Sequence, residues 1–190
     1  MDLSDAISPM DGRYAGADPE VLAEVAPYLS GGADIKYQVR VECAVLRAYG
    51  ALGVCPREDL GALESLESRV EPEEVAAEEE KTQHNIRALV NVVKKKLPAS
   101  LRPFVHLGPT SADITDTARS LQLRDFTMRS FLPRLSKLEG RLIGLCRAGA
   151  GALQIGRTHG QHAVPTTFGH AIALYVSRLG GRILKGEFGA

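Results

Sequence analysis

The sequence predicts an all-α protein, and three observations carry that expectation. Leu, Ala, Glu and Arg are plentiful, and these residues form helices readily. Aromatic residues make up only 5% and Trp is absent, a composition poorly suited to a sandwich or barrel. Apolar residues recur at steps of three and four, as in Leu135, Leu138, Leu142 and Leu145, which is the seam spacing of a helix bundle. At 190 residues the chain is one domain or slightly more, and its 44% apolar fraction is enough to bury a core.

Composition also narrows the function classes. The 23 basic and 23 acidic residues balance, which argues against a nucleic-acid-binding protein or a polybasic membrane binder. No apolar run reaches the length of a membrane span. The start, Met1-Asp2-Leu3-Ser4-Asp5, lacks the basic and apolar regions of a signal peptide. Cys43, Cys55 and Cys146 are odd in number and form no CxxC pair, so they read as reduced thiols of a cytoplasmic protein.

Taken in order, Ser8 to Tyr14 is turn-rich, and Arg13 and Tyr14 stand side by side where both can point at one ligand; an ordinary terminal tail is the plain alternative. Pro19 to Leu29 predicts a short helix stopped by Gly31-Gly32, with Asp34 capping the next. Ile35 to Leu52 is apolar on more than one face, as in a helix buried on several sides. Leu60, Leu63, Leu66 and Val70 form one stripe within 58–70. A long helix is expected over 73–97, with Val75, Ile86, Leu89, Val90, Val93 and Leu97 inward and Pro98 ending it. His84 lies about 200° from Ile86 on that helix, away from the core, and position alone favours simple exposure over a cleft.

Pro98 to Pro103 reads as a linker. Thr110 and Asp113 then approximate a capping box before a helix carrying Ile114, Ala118, Leu121, Met128 and Leu132. Thr110 and Ser111 thus sit at a helix N-terminus, where free N–H groups favour an anion; capping alone is the commoner role. The run Gly156 to His170 holds His159, His162 and His170. Gly156, Gly160 and Pro165 predict a tight loop that enters a helix marked by Phe168, Ile172, Tyr175, Leu179 and Ile183. A reactive loop and a His-rich surface loop are both open at this point.

Four stretches together resemble the adenylosuccinate lyase family: Ser-Pro-Met-Asp-Gly-Arg-Tyr (8–14), Lys-Thr-Gln-His-Asn (81–85), His-Leu-Gly-Pro-Thr-Ser-Ala-Asp-Ile-Thr-Asp-Thr-Ala (106–118) and Gly-Arg-Thr-His-Gly-Gln-His-Ala-Val-Pro-Thr-Thr-Phe-Gly (156–169). They occur in the family's order, and the last two are shared more loosely across the fumarase/aspartase superfamily. The resemblance implies an N-terminal helical domain over 1–102 and, over 103–190, the first long helices of a central bundle. It implies a homotetramer with active sites shared between subunits and a small nucleotide substrate. No metal or organic cofactor is implied. The activity implied is β-elimination of fumarate from adenylosuccinate, giving AMP, and from the succinyl-carboxamide ribotide, giving its carboxamide.

By the same resemblance His159 is the general acid, a role that suits an imidazole with an ordinary pKa near 6.5. His84 helps to place the substrate, flanked by Gln83 and Asn85, where many bacterial members have Arg and Asp. Arg13 and Tyr14 bind the phosphate, and Thr110 and Ser111 the succinyl part. The family's serine-rich loop with Met-Pro-Lys, source of the catalytic base, is not among the 190 residues. The chain is therefore expected to be an N-terminal portion, inactive alone, with an apolar seam exposed. The alternatives are a carboxymuconate cycloisomerase of the same superfamily, a non-catalytic helical interaction module, and a metal site at His159 and His162, which lacks partners at ligand spacing.

Overall fold

The computed structural model describes residues 5–8, 11, 13, 14 and 17–185. Pro9, Met10 and Gly12 of the first motif lie outside the described residues. Among the described residues the fold is all-helical apart from one two-stranded hairpin. The chain forms two compact units, Met1–Phe126 and Thr127–Ala190.

In the first unit, α1 (Pro19–Leu29) starts where Asp18 accepts from the N–H groups of Glu20 and Val21. It stops at Ser30, not at the glycines. Ser30 Oγ accepts from the Ala33 N–H and so starts α2 (Gly31–Ala51). This corrects the expectation that Asp34 caps: a serine one residue before the helix is placed to reach that donor, whereas Asp34 lies inside the first turn, bonded to Gln38. The stripe at 58–70 is likewise not one helix. It divides into a 3₁₀ turn at Leu60–Leu63 and the short α3 (Leu66–Arg69), yet Leu63, Leu66 and Val70 are still buried.

The expected long helix over 73–97 is two helices, α4 (Pro72–Thr82) and α5 (Asn85–Lys96). Gln83 has left-handed backbone (φ 52°) and its amide donates to the Glu80 carbonyl, while Thr82 Oγ donates to the His84 carbonyl. The Gln83 side chain here bonds the carbonyl that the His84 N–H would meet in a continuous helix. α6 (Ser111–Phe126) completes the unit.

One core joins these elements: Val39, Cys43 and Leu46 of α2, Ile86, Leu89 and Val93 of α5, Leu101 and Val105 of the connection, and Ile114 and Ala118 of α6. The "linker" at 98–103 is therefore part of the core's wall, because Leu101 is fully buried. α2 touches α1, α3, α4, α5 and α6, as a helix apolar around much of its girth must. Asp125, buried near the end of α6, accepts from Tyr37, Arg40 and Arg124. Burial pulls the Asp125 carboxyl up, but the Arg124 and Tyr37 hydrogen bonds and the Arg124 charge outweigh it and hold it below the usual range. The Tyr37 phenol, buried and donating to that carboxylate, is pushed up to about 12.

The second unit opens with one wide π-type turn, Thr127–Phe131, and continues into α7 (Leu132–Ala148). β1 (Leu153–Thr158) and β2 (Gln161–Thr167) then pair antiparallel, and α8 (Phe168–Lys185) packs on α7. Two expectations are corrected here. The run 156–167 is not a loop but a hairpin, and Pro165 is not in a helix but in β2, opposite Ile155. There the register shifts, and a residue without an N–H is tolerated at such an irregularity. Gly169 permits the close approach of the helices, since a Cβ on it would collide with the Cys146 carbonyl oxygen.

Leu89 is fully buried in the first unit's core, so Leu89→Ala should destabilise it by about 2–5 kcal/mol, read as a lowered urea midpoint. Asp125 binds its proton more weakly in the folded state than its ordinary value of 3.8. Its contribution to stability is present above that value and is lost as the pH falls through the lower folded one. Asp34, raised chiefly by burial, works in the opposite sense. The acid limb of stability against pH should therefore be flatter in Asp125→Asn than in the wild type; identical limbs would remove Asp125 as its source.

Candidate active site

The α4–α5 break and the start of α6 meet at a cavity of about 440 Å³ in the first unit. Thr82, His84, Arg87, Lys94, His106 and Ser111 supply its polar lining, with Ile86, Val90 and Val105 behind them. Arg87 and Lys94 are fixed cations, and no carboxylate is among the lining residues. Such a wall attracts anions. The lining brings His84 and Ser111 together, as two of the predicted site residues, from motifs separated in sequence.

His84 sits in extended backbone just before α5, and its Nδ1 accepts from the Arg87 N–H at 3.2 Å. A nitrogen that accepts carries no proton, so in neutral His84 the proton is on Nε2, which is then a donor. The ring is exposed to solvent, as its position alone had favoured, and it also lines the cavity. Gln83 and Asn85 flank it without lining: Gln83 makes the left-handed turn, and Asn85 Oδ1 bonds the Ile86 N–H.

At α6, the Thr110 N–H and hydroxyl both donate to Asp113 Oδ2, at 2.7 and 2.8 Å. The Thr110 backbone bond, then its side-chain bond, hold the Asp113 carboxyl below its ordinary range. Half of the expected capping box thus forms. Thr110 is occupied by this contact, and Ser111 is the residue that faces the cavity.

Four polar lining residues were not among the predicted set, and the first is Thr82, whose hydroxyl donates to the His84 carbonyl. Arg87 and Lys94 follow His84 by one and three helical turns, a spacing that sequence shows once the helix start is known. His106 opens the third motif and is the fourth. It has left-handed backbone (φ 58°), its N–H donates to Glu42 Oε2 at 3.2 Å, and its Nδ1 lies 2.7 Å from Glu42 Oε1. Next to it, Tyr49 donates to the Leu107 carbonyl.

The remaining predicted residues lie elsewhere. Asp11, itself buried, accepts from the N–H groups of Ile7 and Ser8 and so ties the terminal turn, leaving Arg13 and Tyr14 exposed. His159 belongs to the second unit, at the hairpin tip. His159 (φ 52°) and Gly160 (φ 74°) both have positive φ, as a two-residue type I′ turn requires, with Thr158 opposite Gln161. Histidine is among the few non-glycine residues enriched in that conformation. His159 is exposed, and so is His162 beside it. Among the described residues no three His, Cys, Asp or Glu side chains stand together to hold a metal ion, and no helix is long and apolar enough to cross a membrane.

A polar cleft with two cations, two histidines and a hydroxyl at a helix start can bind an anion and exchange protons with it. A family model described as lyase matches residues 12–183, and the chain belongs to that lyase family. It is similar to the adenylosuccinate lyase of Methanothermobacter thermautotrophicus, at 34% identity over 92% of this chain and 38% of that protein. Of solved structures, a fumarate lyase from Mesorhizobium sp. BNC1 superposes with a TM-score of 0.73 at 28% identity, covering 82% of this chain and 37% of the other. The 3-carboxy-cis,cis-muconate lactonizing enzyme of Pseudomonas putida gives 0.72 at 26% identity, covering 93% and 40%. The chain thus spans well under half the length of these relatives.

If Arg87 supplies attraction for an anion, Arg87→Ala should weaken binding of inorganic phosphate or fumarate at this cavity several-fold at low salt. Chemical shift changes of His84 and Ser111 on titration would report it; equal affinity in the variant would exclude Arg87.

Proposed function

We propose that the chain is a portion of an adenylosuccinate lyase, which eliminates fumarate from adenylosuccinate and from the succinyl-carboxamide ribotide. The observation that carries this reading is the acid-free cavity in which His84 and Ser111, from two separate motifs, come together beside Arg87 and Lys94. The reaction removes a proton beside a carboxylate, and the electron pair left on carbon is stabilised as that carboxylate takes on a second negative charge. The pair then forms the C=C bond as the C–N bond breaks, and an acid delivers a proton to the leaving nitrogen. Cations and helix N–H groups around the carboxylates stabilise the charge that builds up.

In this reading Ser111, with Thr110 behind it, takes the succinyl carboxylates. His84, a donor through Nε2, orients the substrate with Gln83 and Asn85 beside it. Arg13 and Tyr14 take the phosphate, where a guanidinium can bind two oxygens. His159 is the acid, held at the tip of a short turn where its ring is open to a substrate. The base comes from the part of the enzyme beyond these 190 residues, so this portion alone does not turn over. Residues 1–102 are the N-terminal domain and 103–190 the start of the central bundle. The working form is a cytoplasmic homotetramer whose subunits share active sites, and the exposed Leu138, Leu145, Leu174 and Tyr175 of α7 and α8 supply surface for such assembly.

The likeness to a lactonizing enzyme favours one other reading, a cycloisomerase. A whole enzyme carrying this chain should release fumarate from adenylosuccinate and leave the lactone-forming substrate untouched; the reverse would select the cycloisomerase. In that enzyme His159→Ala should lower turnover by roughly 10²–10⁴-fold, and a loss of only a few-fold would remove His159 as the acid.

A further inference from the structure

We propose that Glu42 is a positioning residue that holds His106 in one tautomer, with Nδ1–H on the carboxylate and Nε2 free as an acceptor for the substrate in the cavity. The proposal rests on the reading of that cavity as the substrate site.

Glu42 is fully buried in the middle of α2, among Val39, Cys43 and Leu46. A carboxylate there is costly unless its oxygens are bonded. Both are taken by one residue: Oε2 by the His106 backbone N–H and Oε1 by its ring. A carboxylate only accepts, so His106 Nδ1 must be the donor. Nε2 is then the ring nitrogen left for the cavity that His106 lines.

The backbone points the same way. His106 has left-handed backbone (φ 58°), an uncommon conformation for a non-glycine residue, and the Glu42 contacts to its N–H and ring help to hold it. Gly108 follows with φ 93°, and a Cβ there would sit 3.2 Å from the Tyr49 hydroxyl. Glu42 and Tyr49 are about two helical turns apart and so on one face of α2. That face grips the 106–108 turn twice, at His106 and at the Leu107 carbonyl. Core stability alone would be served as well by an apolar side chain of the same length; a carboxylate adds a fixed ring orientation, as acidic partners do for functional histidines elsewhere.

The cavity then offers complementary histidines. His84 presents a donor and His106 an acceptor, so a group carrying an N–H or O–H, such as an amine, an amide or a ribose hydroxyl, is read at His106. Anionic oxygens are left to Arg87, Lys94 and Ser111.

The test uses Glu42→Met, which keeps length and removes both acceptors, with folding checked by circular dichroism and denaturant midpoint. Ring ¹⁵N spectra of the ¹⁵N-histidine-labelled chain at alkaline pH should show His106 as a single Nδ1–H tautomer in the wild type and as a tautomer mixture in Glu42→Met. In the whole enzyme the variant should lower kcat/KM for adenylosuccinate about 10–100-fold, the usual range for losing the partner that orients a functional histidine. An unchanged single tautomer in Glu42→Met overturns the proposal, and so does a lost tautomer with unchanged kcat and KM. Should Glu42→Met not fold, Glu42→Gln is read by the same two criteria, since its one oxygen cannot serve both His106 donors. If the wild-type enzyme releases no fumarate, the substrate reading falls, and the ring spectra alone decide whether Glu42 positions His106.

Discussion

Everything in the first unit leans on α2. It is the helix that the other helices of the unit touch, and its faces carry apolar side chains almost all the way round. Burial of that girth is what draws α5 and α6 inward, at roughly 1.5–3 kcal/mol for each fully buried large aliphatic side chain. The polar side chains that α2 buries are few, and each has a defined partner: Tyr37 donates to Asp125, Gln38 donates to Asp34, and Glu42 accepts from His106. One helix therefore sets both where the core lies and where the 106–111 turn stands.

Function follows from the places where regular structure is interrupted. Among the described residues, three non-glycine positions have left-handed backbone, Gln83, His106 and His159. Each lies within one of the motifs that resemble the adenylosuccinate lyase family. At Gln83 the break turns what would be a mid-helix histidine into His84 at a helix start. At His106 the turn presents an imidazole that is anchored from behind. At His159 a two-residue turn lifts a ring clear of the strands. Strain at these points is offset by packing and hydrogen bonds elsewhere, as is common where side chains must be aimed.

Much of this was legible in the sequence, and the rest failed for identifiable reasons. Periodicity marks α2, α5, α7 and α8 well: α2 and α5 bury a stripe at helical spacing, and α7 and α8 carry apolar repeats that are only partly covered. The α4–α5 break was invisible to it: Val75, Ile86 and Leu89 stay apolar across Gln83, so the stripe reads as continuous although the backbone is not. Ser30 does not stand out as a cap in the sequence, because the glycines after it look like a stop. The hairpin escaped because His159-Gly160 lacks the usual Asn-Gly or Asp-Gly signature, and Pro165 imitates a helix start. Glu42 had no local signal at all, since its partner is 64 residues away.

The hairpin has a consequence for how the chain behaves outside its normal surroundings. Its sheet has two strands, so among the described residues each strand keeps one side of its backbone unpaired. Leu153, Ile155 and Val164 on it are exposed. An open, apolar ribbon of this kind invites another strand to add to it. Isolated chain held at high concentration should therefore gain cross-strand pairing between molecules, and the β content of such aggregates should start at 153–167, with the helices joining later.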